Sequence, residues 1–342
     1  MKNATICGVF LAVVALLAAA QENSSSLYPV EQGGKYGYID SRGTITIPFR
    51  FDYAYDFFDG LARVEVAEKF GYINTSGEYV VPPRYTFMDS AENFSDGLGQ
   101  VGIFSETGMY RFRGGYIDTS GKMVIPQTFS QTGKFSEGLA HASPTAGLWG
   151  FIDKSGKLVV PAVYDDYPCD FHEGLACVKK DGKYGFVDRD GRVVIALHYE
   201  QAFDFSEGLA PVELSEKWGF IGRSAQFVIP CRFDLAWTFK NGLAPARLNG
   251  KWGYINKSGE WAVVPRFDEV LGFEDGLAPV KVGEKWGFIR SDGTYAITPQ
   301  FEDAWYFTGA LAQVRIGARW AMVDKEGTVV WKEDRDDELY TQ

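Results

Sequence analysis

An aromatic-glycine-aromatic strand returns nine times along this chain, about every 34 residues. The copies read Lys35-Tyr36-Gly37-Tyr38, Lys69-Phe70-Gly71-Tyr72, Gly114-Gly115-Tyr116, Trp149-Gly150-Phe151 and Lys183-Tyr184-Gly185-Phe186. Lys217-Trp218-Gly219-Phe220, Lys251-Trp252-Gly253-Tyr254, Lys285-Trp286-Gly287-Phe288 and Arg319-Trp320-Ala321-Met322 complete the set. Self-similarity at a fixed period means an array of one supersecondary unit, each copy burying its apolar face against the next. That constrains architecture far more tightly than function.

The unit is clearest over residues 242–265. Residues 243–248 read as a strand, and Asn249-Gly250 is a two-residue hairpin turn, since both central positions of such a turn need positive φ. The signature strand returns from Lys251. A second turn then opens on Asp or Asn and has Gly fourth, as in Asp153-Lys154-Ser155-Gly156 and Asn256-Lys257-Ser258-Gly259. Its leading side chain can accept from the turn backbone. A third strand ends at a proline such as Pro265, which removes a ladder donor. A connector of about ten residues follows, with room for a short fourth strand or one helical turn. The glycine of the signature lets another backbone approach, and its aromatics, on the alternate face, form the inter-repeat core. On this reading the fold is all-β, about nine three-stranded meanders stacked as an open solenoid or superhelix. A closed, propeller-like array is the alternative, disfavoured because propellers typically use four to eight blades with periods of about 40–45 residues.

These residues resemble the WG-repeat family, marked by a Lys-Trp-Gly-aromatic-Ile-Asp strand, a glycine turn and an apolar stretch ending in proline. The resemblance runs from about Gly33 to Trp331 and implies an all-β repeat protein, frequently exported in bacteria, with no general activity and no catalytic residues to carry over. Departures are Gly114 for the aromatic, Ala321 for the glycine, and Ala196-Leu197 where proline is expected.

Outside the array, residues 1–20 read as a secretory leader: Lys2, an apolar stretch over residues 6–20, and Ala18-Ala19-Ala20 before Gln21. Cleavage is expected after Ala20, giving a periplasmic or extracellular chain that is not an integral membrane protein. Residues 21–33 read as a partial capping unit, 34–331 as the array and 332–342 as an acidic tail. The net charge of −11 disfavours nucleic acid and anionic lipid. Cys169 and Cys177, eight residues apart, could pair, but nothing resembles a disulfide scaffold. The spacing between Gly71 and Gly115 is 44, and the extra residues, centred on 105–113, read as a lengthened hairpin that protrudes.

The search for chemistry yields little. His141, His172 and His198 stand in no metal-ligand spacing, so neither metal nor cofactor is expected. Asp59, Asp96, Glu137, Glu173, Glu207 and Asp275 share one turn column, so a residue that every turn demands is weak grounds for a catalytic pair. One connector column, about five residues before the glycine, holds Tyr55, Phe203, Trp237 and Trp305 in some units and Glu92, Gly133, Cys169 and Leu271 in others. An aromatic stripe there could stack on sugar rings or anchor a peptide. The expected function is that of an exported, noncatalytic binding or scaffold protein whose partner is envelope protein or polysaccharide. A hydrolase of envelope glycan using a carboxylate pair and a purely structural spacer are the alternatives.

Overall fold

The computed structural model describes residues 26–85, 94–104, 112–145 and 147–334. The leader and residues 335–342 of the acidic tail lie outside them. Among the described residues the chain forms nine antiparallel sheets in sequence order, numbered here as blades 1 to 9. They span residues 28–51, 53–85, 98–129, 131–164, 175–199, 201–233, 235–267, 269–301 and 303–332. Blade 7 shows the pattern, with strands Leu235–Ala236, Ala244–Leu248, Lys251–Ile255 and Trp261–Phe267 hydrogen-bonded in that order. The connector therefore supplies a short inner strand, and blades 2, 4, 6, 7, 8 and 9 have four strands rather than the expected three.

The array is a closed nine-bladed β-propeller, not an open solenoid. Nine hydrophobic clusters each join two neighbouring blades; an open row of nine would have eight such interfaces. The ninth joins Tyr28, Val30 and Ile39 of blade 1 to Leu311 and Met322 of blade 9. At this seam the Tyr28 hydroxyl accepts from the Ala310 N–H at 3.0 Å. The ends expected to be caps are thus each other's neighbours, and Tyr28–Gln32 is the strand paired to the first signature strand. The period misled because a two-residue inner strand, as in blades 6, 7 and 8, fits four strands into about 34 residues. One residue, such as Asp268 between Phe267 and Glu269, then carries the chain from one blade's outer strand to the next blade's inner strand.

The signature glycine has the role expected of it. Five residues of the outer strand, 263 to 267, face only three of its neighbour, 252 to 254, and this bulge falls over Gly253. A Cβ on Gly287 would stand 2.6 Å from both the Ile297 carbonyl oxygen and the Pro299 nitrogen. Proline does not end the strand: Pro265 lies inside Trp261–Phe267, at the bulge of an outer edge strand, where a missing donor costs least. Blade 9 shows why Ala321 is tolerated. Its outer strand pairs Ala321 directly with Lys332, without a bulge above it.

Polar groups seal the wedges. The second signature aromatic is buried, and where it is tyrosine its hydroxyl crosses to the next blade, as Tyr254 Oη donating to the Leu271 carbonyl at 2.7 Å. The turn acids also reach across. Glu137 accepts from the Gly174 N–H at 2.8 Å, Glu173 from Gly208 at 3.0 Å, Glu207 from Gly242 at 3.1 Å and Asp275 from Gly309 at 2.6 Å. Signature lysines Lys35, Lys217, Lys251 and Lys285 pair with the junction acids Asp52, Asp234, Asp268 and Glu302. The lengthened hairpin of blade 3 pairs from Leu98↔Asp118 out to Phe104↔Phe112, and residues 105–111 lie outside the described chain.

Candidate functional site: an aromatic cleft beside the seam

Along each inner strand the side chains alternate, so the first and third residues of Asp303-Ala304-Trp305 share a face while Ala304 is buried. The connector column lies on that face. Two of its rings meet the first signature aromatic of their own blade. Phe203 stacks on Trp218 with centroids 5.0 Å apart and planes 16° apart, and Trp237 meets Trp252 at 5.0 Å and 55°. Trp252, Trp286, Trp218 and Trp149 are almost wholly buried, as inter-blade core requires, whereas Tyr36, Phe70, Tyr184 and Trp320 are half-buried. In blade 2 the Arg63 guanidinium, 3% exposed, lies 3.7 Å from the Tyr55 ring centre and 5.4 Å from that of Phe70.

Between blades 7 and 9 the column changes size, from Trp237 through Leu271 to Trp305. The smaller Leu271 leaves a cavity of about 270 Å³ walled by Trp237, Trp252, Trp286 and Trp305, with Glu269 and Asp303 at its polar margin. Lys281 Nζ sits 2.6 Å from Glu269 Oε1 and 5.9 Å from the Trp286 ring centre. Trp305, 52% exposed, also walls a second cavity of about 300 Å³ across the seam, together with Tyr28, Tyr36, Tyr53, Tyr55 and Tyr306. Of the four residues expected to bind, Trp237, Trp305 and Tyr55 therefore line two cavities that share Trp305. Phe203 lines neither.

Sequence reasoning missed the rest of these walls. Period-two alternation back from Tyr55 and Trp305 reaches Tyr53 and Asp303, and was enough to find them. Tyr28 and Tyr36 needed ring closure, which the period did not show. The polar candidates lie apart. His141 is buried with Nδ1 3.3 Å from Asp170 Oδ1, His172 lies 3.7 Å from Asp204, and His198 Nδ1 lies 3.0 Å from its neighbour Ala196's carbonyl. Among the described residues no group of three or more His, Cys, Asp or Glu side chains is placed to hold a metal ion. None contains a helix long and apolar enough to cross a membrane.

The family model for the WG containing repeat matches residues 36–70, 70–103, 115–141, 149–184, 184–218, 218–252, 252–286 and 286–320. The chain belongs to the WG-repeat family. Among solved structures, this WG-repeat propeller is similar to a crystal structure of the eukaryotic initiation factor. The two are 10% identical, with a TM-score of 0.63 over 93% of this chain and 98% of that one. Apo AztD from Citrobacter koseri is 9% identical, with a TM-score of 0.44 over 91% of this chain and 94% of its own. At such identities the likeness is one of fold alone. No curated protein sequence matches the WG-repeat chain.

Proposed function

We propose that this propeller is a noncatalytic binding protein of the cell envelope, working outside the cytoplasm, that holds polysaccharide in the cleft between Trp237 and Trp305. The observation that carries the reading is the Trp237, Leu271, Trp305 step, which opens a cavity lined by four indoles. An indole face is flat, apolar and electron-rich, and suits the C–H face of a pyranose ring. Glu269, Asp303 and Lys281 supply acceptors and donors at the margin for sugar hydroxyls. Few convergent polar groups around aromatic walls is the usual make-up of a small-ligand site. The net charge of −11 favours an uncharged glycan over an acidic one.

The turn carboxylates support a noncatalytic role. Glu137, Glu173, Glu207 and Asp275 each accept a backbone N–H of the next blade, so their column is explained by ring closure. The ground for placing the protein outside the cytoplasm is the sequence pattern of residues 1–20, Lys2 followed by an apolar stretch and Ala18-Ala19-Ala20, read as a leader.

Affinity electrophoresis of the protein through gels containing envelope polysaccharide tests the reading. The wild type should be retarded, and both Trp237→Ala/Trp305→Ala and the cavity-filling Leu271→Trp should migrate as in plain gel. Retardation that survives both changes excludes the cleft. Capture of envelope protein instead, abolished by the same changes, would replace glycan by a protein partner.

A further inference from the structure

Blade 5 departs from its neighbours at the inner edge. In blades 6, 7 and 8 the column residue lies opposite a proline, and Phe203, Trp237 and Leu271 donate their N–H groups to the carbonyls of Pro211, Pro245 and Pro279 at 3.0 Å. The same bond in blade 5 runs from Cys169 N–H to the Cys177 carbonyl at 3.0 Å. Two thiols therefore stand where other blades put a large side chain against proline. The Cys177 thiol and the Asp204 carboxylate of blade 6 both lie near enough to the Cys169 thiol to disfavour its thiolate. The backbone around them is interrupted. Asp165 and Cys169 bond to Lys179 and Cys177, whereas Glu200 and Phe203 bond to Glu213 and Pro211, so blade 5 carries one extra residue in a segment that includes Pro168. No inner strand forms there, and blade 5 has three strands.

We propose that Cys169 and Cys177 are a modification site, joined by a disulfide that ties the inner segment of blade 5 to strand Leu175–Lys180. Directly opposed residues of an antiparallel pair have Cα atoms about 4.5–5.5 Å apart. A disulfide accepts Cα separations of about 4.4–6.8 Å, a range that matches two residues joined by a backbone hydrogen bond, as Cys169 N–H and the Cys177 carbonyl are. Both thiols are reduced in this structure, as is Cys231. The oxidant is a small or protein disulfide. One thiolate attacks it and releases a reduced thiol; the second thiolate then attacks the mixed disulfide and releases another. The two protons of Cys169 and Cys177 leave on the released thiols, and two electrons pass to the oxidant.

Timing follows from burial. Cys177 is 1% exposed, and contact with Cys177, burial and the nearby Asp204 push the Cys169 thiol far above its usual range. Thiolate, not thiol, carries out exchange. Exchange on the folded, reduced protein is therefore slow, and the bond forms while the chain folds, when the eight-residue separation keeps the thiols close.

The full chain, unfolded and reduced, is refolded with reduced and oxidised glutathione, alkylated and mapped by peptide mass. The expected product joins the Cys169 and Cys177 peptides, two hydrogens lighter than the free pair, with Cys231 alkylated. Amide exchange over residues 165–177 should then slow at least tenfold relative to protein refolded with reductant, while other blades are unchanged. Equal alkylation of Cys169, Cys177 and Cys231 overturns the proposal, as does pairing of Cys231 with either of the other two, or a disulfide that leaves exchange unaltered. Native folded protein exposed to the same buffer should stay unjoined; rapid joining would overturn the assignment of the step to folding. The test does not depend on glycan binding, since neither cysteine lines the cleft.

Discussion

Blades 7 and 8 and blades 4 and 5 are built on one plan and differ most at the inner column. In blades 7 and 8, Trp237 and Leu271 oppose prolines and lie over Trp252 and Trp286. In blades 4 and 5 the same places hold Gly133 opposite His141 and Cys169 opposite Cys177. Gly133 is forced, since a Cβ there would collide with the imidazole of His141, which meets Tyr167 edge-on at 4.2 Å and lies 5.5 Å from Trp149. Much outside that column is shared: the glycine under the outer-strand bulge in all four blades, the Asp or Asn turn in blades 4, 5 and 7, and the carboxylate reaching the next blade in blades 4, 5 and 8. The closed ring is therefore held by the outer three strands, and the inner column is free to become an aromatic cleft on one side and a polar, thiol-bearing patch on the other.

The comparison breaks first if the signature aromatics are not core. Trp252, 6% exposed, packs with Val270, Phe273 and Val280 of blade 8, and Trp252→Ala should cost about 3–5 kcal/mol by denaturant unfolding. Trp237→Ala, on the half-buried column above it, should cost well under half as much. Equal losses would mean that the column, too, is structural. Next in size is the glycine. Gly287→Ala places a methyl 2.6 Å from backbone atoms that have little room to move, and should cost about 1–3 kcal/mol. The reverse change in blade 9, Ala321→Gly, should cost under about 1 kcal/mol, the ordinary penalty for glycine in a strand, because no bulge covers it.

How much of this was legible follows from which interactions are local. The hairpin at Asn249-Gly250 and the Asx turns were readable because their geometry is set within a few residues. Asp40 Oδ1 accepts from the N–H groups of Arg42 and Thr44, both at 2.9 Å, as its turn position demands. The close approach at the glycine column was also readable, since its absence of a side chain had one physical use. Closure was not. It depends on Tyr28 meeting Ala310, a contact 282 residues apart that no period encodes. The cleft was half legible: Trp237 and Trp305 were found by column, but that Leu271 between them makes a cavity needed the blades to stand side by side. The turn acids showed their column in sequence and their partners only in space.

The smallest effect separates the two regions by sign. At the blade 8–9 junction the Lys285 ammonium, then the Gly317 N–H, hold the Glu302 carboxyl at about 2; Asp268 is lowered in the same way by Lys251 and Gly283. A carboxyl whose folded pKa lies below its unfolded value of about 4.3 stabilises the fold above that pH and loses the contribution as pH falls towards 2. Asp204, beside Cys169, is shifted the other way, raised chiefly by burial. It destabilises the fold at neutral pH, and the cost is relieved as pH falls through its folded pKa. Glu302→Gln should therefore lower Tm by a degree or so at pH 7 and leave it unchanged near pH 2, a small effect because the pair is solvent-screened. Asp204→Asn should raise Tm at pH 7, with the gain vanishing in acid. Thermal melts of both variants across pH 2–8 decide the matter: two curves converging on the wild type at low pH from opposite sides support the division between outer clamps and inner patch, and two displaced the same way abolish it.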